Sequence, residues 1–236
     1  GIDMSQRTVV CDIEADGLLP NVNSIWCIVC KDYDSGEIHS WTPDTLDDFA
    51  EFAEDVRLWI GHNFIAYDLQ VIKKVLGISI RPSRVRDTLL ISRLQKYNRT
   101  AGHSLAAWGK YLNHPKLVHK DFTEYSNEML DYCINDVELT YKVARSLKLE
   151  GKELGSGNAS KIEHYTQYYL ENQRQYGFAL DVVKAHLLFA KISNRIDVLQ
   201  ESILSEMGSK PKLIKEITPR YTKDGELSKV GLKFLD

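Results

Sequence analysis

Apolar and polar positions change period several times along the chain, and each change marks an element. Thr8-Val9-Val10-Cys11-Asp12-Ile13-Glu14 is a short apolar run ending in acids, the pattern of a buried strand that delivers carboxylates to the edge of a sheet. Ala15-Asp16-Gly17 then turns the chain. Ile25–Tyr33 reads as a second strand, Asp34-Ser35-Gly36-Glu37 as a hairpin turn and Ile38–Trp41 as a third strand. Asp44 or Thr45 is placed to cap a helix with Leu46, Phe49, Phe52, Ala53 and Val56 at helical spacing. Leu58-Trp59-Ile60-Gly61-His62-Asn63 is another short buried strand with a polar end. Tyr67–Leu76 follows as a helix stopped by Gly77.

Shorter helices are predicted at Thr88–Lys96 and Ser104–Leu112, and a long one from about Ser126 to Leu147. Hairpin strands followed by alternating β and α predict an α/β fold in which a mixed sheet is flanked by helices. Glu150–Asn158 holds three glycines and little apolar matter, so residues 151–158 read as a linker. Beyond it, helices near Lys161–Tyr176 and Asp181–Met207 meet at Gly177-Phe178-Ala179-Leu180, and the polar, basic stretch from Gly208 shows no clear period. Two helices and a tail bury little core by themselves. Residues 159–236 therefore read as a mostly helical C-terminal extension, the incomplete beginning of something larger.

Of the 236 residues, 43% are apolar and 27% charged, ordinary globular values that exclude disordered and fibrous classes. The longest uncharged stretch, about Asn21–Cys30, is shorter than the ~20 apolar residues of a spanning helix, so no membrane partner is expected. Gly1-Ile2-Asp3 ahead of Met4 reads as a cloning scar rather than a leader, and a soluble, cytosolic protein is expected. Net charge is −3, with 17 Lys+Arg against 22 Asp+Glu in the first 150 residues. Such a domain does not coat nucleic acid by bulk electrostatics, although metal ions can supply positive charge where phosphates bind. Cys27-Ile28-Val29-Cys30 after Trp26 has the look of a redox motif. On a strand, however, positions three apart face opposite ways, so these two are expected to be plain buried thiols.

Three separated segments each carry carboxylates in the same setting. Asp12 and Glu14 sit two apart at a strand end and share a face. Asp68 opens a helix that follows a strand. Tyr132 and Asp136 lie four apart in the long helix and share a face as well. Four carboxylates and a phenol can thus meet beside the sheet. Like charges so close are costly without counter-ions, and oxygen ligands suit Mg²⁺ or Mn²⁺. Two such ions about 4 Å apart activate water and hold the leaving oxygen in phosphodiester cleavage.

Asp12-Ile13-Glu14, His62-Asn63-Phe64-Ile65-Ala66-Tyr67-Asp68 and Tyr132-Cys133-Ile134-Asn135-Asp136 resemble the three exonuclease motifs of the DEDD superfamily in its tyrosine-bearing subgroup. The segments Asp87–Leu94 and His103–Gly109 are similar to parts of the proofreading domain of T-seven-like phage family A DNA polymerases. Glu163–Asp181 resembles the helix and turn by which those enzymes enter their polymerase part. The resemblance covers about residues 7–207. It implies a ribonuclease-H-like fold with a five-stranded mixed sheet, and a 3′→5′ exonuclease domain over residues 4–150. It also implies two Mg²⁺ or Mn²⁺ ions on Asp12, Glu14, Asp68 and Asp136, with Tyr132 positioning the attacking water. The implied partners are single-stranded or frayed 3′ DNA ends, the remainder of the polymerase and a processivity factor, and the implied place of action is the cytoplasm of an infected bacterium. The polymerase active site itself is not in this chain.

Substrate contacts are expected from Asn63, or else it is a turn residue, from Phe64 as a stacking wedge or else as a core aromatic, and from Leu18, which packs on a terminal base or fills the core. His62 and His103 are expected to be hydrogen-bonded structural residues. Two rival readings share these residues: an RNA 3′-trimming exonuclease of the same superfamily, and a non-catalytic module that holds DNA or a partner chain.

Overall fold

Alternation in the first strand sets the layout of the molecule, a computed structural model that describes residues 7–155 and 157–207. Residues 1–3, expected to be a cloning scar, and the basic tail from Gly208 lie outside the described residues. In β1 (Arg7–Ala15), Val9, Cys11, Ile13 and Ala15 face one hydrophobic cluster, while Val10 faces a second one on the other side of the sheet. β2 (Ile25–Asp32) and β3 (Ile38–Trp41) add antiparallel strands on one side of β1. β4 (Val56–Gly61) lies parallel to β1 on the other side, and β5 (Val85–Asp87) pairs parallel with β4. The order β3-β2-β1-β4-β5 makes the expected five-stranded mixed sheet.

Val56, read from spacing as the last position of a helix, instead opens β4. A 3₁₀ turn at Leu46–Asp48 leads into α1 (Phe49–Glu54), which ends sooner. α2 (Asp68–Leu76) stops at Gly77, whose φ of +72° favours glycine. α3 (Thr88–Gln95), α4 (Leu105–Tyr111) and α5 (Asn127–Gly151) are capped by the side chains of Asp87, Ser104 and Ser126, each accepting a backbone N–H of the first turn. α5 buries Met129, Cys133, Asp136, Thr140 and Val143 at intervals of three and four, with Val137 beside them, and several of these pack with Val10, Cys27, Val29 and Ile60.

Cys27 belongs to the α5-side cluster and Cys30 to the opposite one. Both are free and buried, as strand geometry requires. The glycine-rich stretch after α5 is not a loose tether. A Cβ at Gly151 would meet the Gln95 side chain of α3 at 2.2 Å, and one at Gly155 would meet Ile91 at 2.7 Å. Glycine is used there for close approach, and the compact unit continues through α6 (Asn158–Tyr176) to Gly177. A second unit begins at Phe178. In it α7 (Val182–Met207) leaves Leu187, Phe189, Ile192, Leu199 and Ile203 exposed.

Candidate active site

Register explains why the acids meet. Asp12 and Glu14 alternate with the inward residues of β1, so they share the sheet face with Val10, the face that α5 covers. α5 in turn presents Tyr132, Cys133 and Asp136. The Cys133 Sγ lies 3.5 Å from Asp12 O and 3.8 Å from Asp12 Oδ2. Ligand atoms of Asp12, Glu14 and Cys133 all lie within 4.8 Å of one another. Asp68 arrives from the parallel neighbour: β4 ends at Gly61, the chain turns, and the first residue of α2 accepts the Ile13 N–H on Oδ1 at 3.2 Å.

The turn between β4 and α2 is held by a residue outside the acidic motifs. Asp87, 1% exposed, accepts Asn63 N–H on Oδ1 at 3.0 Å, Ile65 N–H on Oδ2 at 3.1 Å and Leu89 N–H at 3.0 Å. One carboxylate thereby caps α3 and fixes the path that delivers Asp68. The Asp87 N–H is itself accepted at 2.8 Å by His164 Nε2 from α6. Gly61 is required at the bend, because a Cβ there would sit 2.5 Å from the Phe64 ring.

Electrostatics matches this crowding. The Asp12 carboxyl is pushed up to about 7, mainly by burial and then by the charge of Asp136. Burial first and Asp12 second raise both Glu14 and Asp68. Asp136 is raised by burial and pulled back by Lys116. The Tyr132 phenol is raised by burial, so it keeps its proton at neutral pH and remains a donor. Asp12, Glu14 and Asp68, all raised mainly by burial, have no ion-pair partner among the described residues. Asp136 Oδ1 is also buried with no hydrogen-bond partner. Hard oxygen donors with an orphaned carboxylate oxygen fit divalent Mg²⁺ or Mn²⁺. Cys133, a soft donor, serves Asp12 as a weak hydrogen-bond donor and is not needed as a ligand.

Other expected residues divide. Asn63 is exposed at the turn with φ +62°. Leu18 is 75% exposed, so it does not fill the core, and its loop is tied to α2 by Tyr67 Oη donating to Gly17 O at 2.6 Å. Phe64 has no exposed surface and stacks on Trp59. The stacking wedge expected there is therefore corrected to the core aromatic. His62 shares Nδ1 with Thr88 Oγ1 at 2.9 Å and is held down at about 4, mainly by burial. His103 lies between Ser92 Oγ and Tyr97 O. Both are hydrogen-bonded structural histidines.

A family profile described as 3′-5′ exonuclease matches residues 6–152. The chain belongs to the 3′–5′ exonuclease family. Its curated relatives include the DNA-directed DNA polymerases of Enterobacteria phage T3 and Escherichia phage T7, each 25% identical over 85% of this chain. The match spans only 37% of each of those polymerases. Among solved structures, Brucella melitensis NrnC with bound Mg²⁺ is similar over 75% of this chain and 90% of its own, at 17% identity and TM-score 0.56. Escherichia coli RNase D, an exoribonuclease, is similar over 71% of this chain and 45% of its own, at 16% identity and TM-score 0.56. These likenesses establish the ribonuclease-H-like fold of the exonuclease domain.

Sequence reasoning missed three residues in and around this site. Asp87 carried a signal, since a buried Asp-Thr at a helix start marks a cap. Cys133 carried a weaker one, three positions before Asp136 on the same helix. Lys116 carried none, because its place depends on how a loop crosses two helices.

Proposed function

We propose that the chain is the proofreading part of a phage replicative DNA polymerase, a two-metal-ion 3′→5′ exodeoxyribonuclease releasing nucleoside monophosphates. The observation that carries this reading is the meeting of Asp12, Glu14, Asp68 and Asp136 beside one sheet face with Tyr132 next to them. Divalent ions held by those four would lower the pKa of a water and stabilise the leaving oxygen. The chain's own residues supply the rest. Tyr132, kept protonated by burial, orients the attacking water through its hydroxyl. Burial of Glu14, Asp68 and Asp136 keeps the carboxylates poorly solvated, which strengthens their hold on cations. Asn63 and Leu18, exposed near the site, contact the terminal nucleotide. A frayed or single-stranded end is the substrate, because a paired end must melt to reach a site of this kind.

The names of the curated relatives support DNA over RNA as substrate, and they support the remainder of a polymerase as partner and an infected bacterium as the place of action. A processivity factor is a further partner. Incubation with an end-labelled single strand and Mn²⁺ tests the reading: stepwise shortening from the 3′ end is expected, and Asp12→Ala is expected to lose at least about 10³-fold in rate. An intact strand, or equal rates for Asp12→Ala and wild type, rejects it. Faster trimming of a matched RNA would transfer the assignment to the RNA reading.

A further inference from the structure

The acidic motifs contain no cation, yet one sits among their side chains. Lys116 Nζ lies 2.7 Å from Asp136 Oδ2 and 5.1 Å from the centre of the Tyr132 ring. Among the described residues this is the only ion pair that any of the four carboxylates makes.

Its position is built by the surrounding chain. Gly109 in α4 lets the following loop cross close by, since a Cβ there would come 2.7 Å from His114 O and 3.6 Å from Lys116 N. His114 N–H donates to Gly109 O at 2.9 Å. From the other side Asn135, beside Asp136 on α5, straps the same loop. Its Oδ1 pairs with His114 Nε2 at 3.0 Å, and its Nδ2 donates to Pro115 O at 3.4 Å. Residues 113–116 are thus tied to both helices, and Lys116 is delivered onto Asp136, whose other oxygen is buried without a partner. A loop lysine is ordinarily a solvated charge. This one is 31% exposed over a carboxylate that is 4% exposed.

We propose that Lys116 is a resident counter-ion that exchanges with a divalent metal: its ammonium holds Asp136 in the metal-free protein, yields that oxygen when the metal binds, and then contacts the phosphate of the bound DNA end. One oxygen cannot serve an ammonium and a divalent ion at full strength, because the two cations repel at that spacing. The backbone strap keeps the displaced ammonium beside the cluster, where a phosphodiester anion has to arrive. The Asp136 charge is compensated at each stage: by lysine when metal is absent, and by the metal when it is bound, with the lysine then free to face the phosphate. The phosphate step rests on the exonuclease reading, whereas the exchange does not.

The test compares the full chain with Lys116→Met, Lys116→Gln and Lys116→Arg in three measurements. In EDTA, Lys116→Met and Lys116→Gln are expected to melt about 3 °C below wild type, with the gap closing in saturating Mn²⁺. Calorimetric titration is expected to show Mn²⁺ binding roughly tenfold more tightly to both neutral variants, since a charge-assisted hydrogen bond no longer competes. On a labelled single strand at saturating Mn²⁺, KM is expected to rise about tenfold with a smaller change in kcat, and Lys116→Arg to restore most of it. A melting gap that persists in Mn²⁺ would show that the lysine only supports the fold, and unchanged or weaker Mn²⁺ binding would overturn the exchange. Absence of hydrolysis by every form, wild type included, would count against the exonuclease reading, while the melting and titration results still decide the exchange.

Discussion

The two halves of the site are held by different means. Asp12, Glu14 and Asp68 ride on β1 and the first turn of α2, where parallel pairing with β4 and the Ile13 N–H to Asp68 bond fix them through the backbone. None of the three makes an ion pair among the described residues. Tyr132 and Asp136 ride on α5, where a side-chain strap from Asn135 and the Lys116 ammonium complete the local arrangement. The sheet half is rigid and uncompensated, and the helix half is compensated by a cation on a loop. The sheet half therefore gains most from bound metal, and the helix half is where a charge can move.

The most damaging way to break the sheet half is through Asp87. Asp87→Ala removes the acceptor for Asn63, Ile65 and Leu89 N–H groups in a site that is 1% exposed. A loss of about 3 kcal/mol or more is expected in urea unfolding, at about 1 kcal/mol or more per orphaned donor. Hydrolysis should fall as well, because the turn that delivers Asp68 loosens. A loss below about 1 kcal/mol would mean that the turn holds without it.

The pH dependence of the metal-free protein probes the lack of compensation. Burial and Asp136 push the Asp12 carboxyl from 3.8 up to about 7, and Glu14 and Asp68 shift the same way. The native state holds these protons more tightly than the unfolded chain does. The Asp12 contribution to stability is complete below about pH 4 and is lost as pH rises through about 7, while that of Glu14, pushed up to about 10, is lost only at higher pH. In EDTA the melting temperature should therefore fall between those limits, and saturating Mn²⁺ should flatten the slope. An equal slope with and without Mn²⁺ would separate these acids from metal binding.

On the helix half, Tyr132→Phe keeps the ring beneath Lys116 and removes only the hydroxyl. Hydrolysis should drop about tenfold to a hundredfold with Mn²⁺ affinity and melting temperature unchanged. A loss of Mn²⁺ binding would make the phenol a ligand instead. The smallest expected effect is at Leu18: Leu18→Ala should leave stability within about 0.5 kcal/mol, as an exposed position allows, and raise KM for a DNA end severalfold. An unchanged KM would return Leu18 to an ordinary surface residue.

The contrast between the halves also separates what was legible in the amino-acid sequence from what was not. Alternation in Thr8–Glu14 and the caps at Ser104 and Ser126 have local causes, so strands, helices and the facing of Asp12, Glu14, Tyr132 and Asp136 could be read directly. β5 could not be placed, because three residues, Val85–Asp87, are too few to show a period. Phe64 follows a strand in a motif segment, yet the absent side chain of Gly61 lets it fold back under the sheet. Which of its two readings Leu18 takes, and the close approach at Gly151 and Gly155, could not be read for the same kind of reason: exposure and close approach are tertiary properties. Lys116 is the clearest case, since its placement needs Gly109, Asn135 and Pro115 together.

The most direct measurement is a calorimetric titration of the metal-free protein with Mn²⁺ near pH 7, repeated in buffers of different ionisation heat. Two ions per chain are expected to bind saturably, with protons released as the raised carboxyls ionise, and Asp12→Ala and Asp68→Asn should each abolish at least one binding event. A flat titration, or binding with no proton release and no sensitivity to those substitutions, would contradict a metal centre built from these four carboxylates.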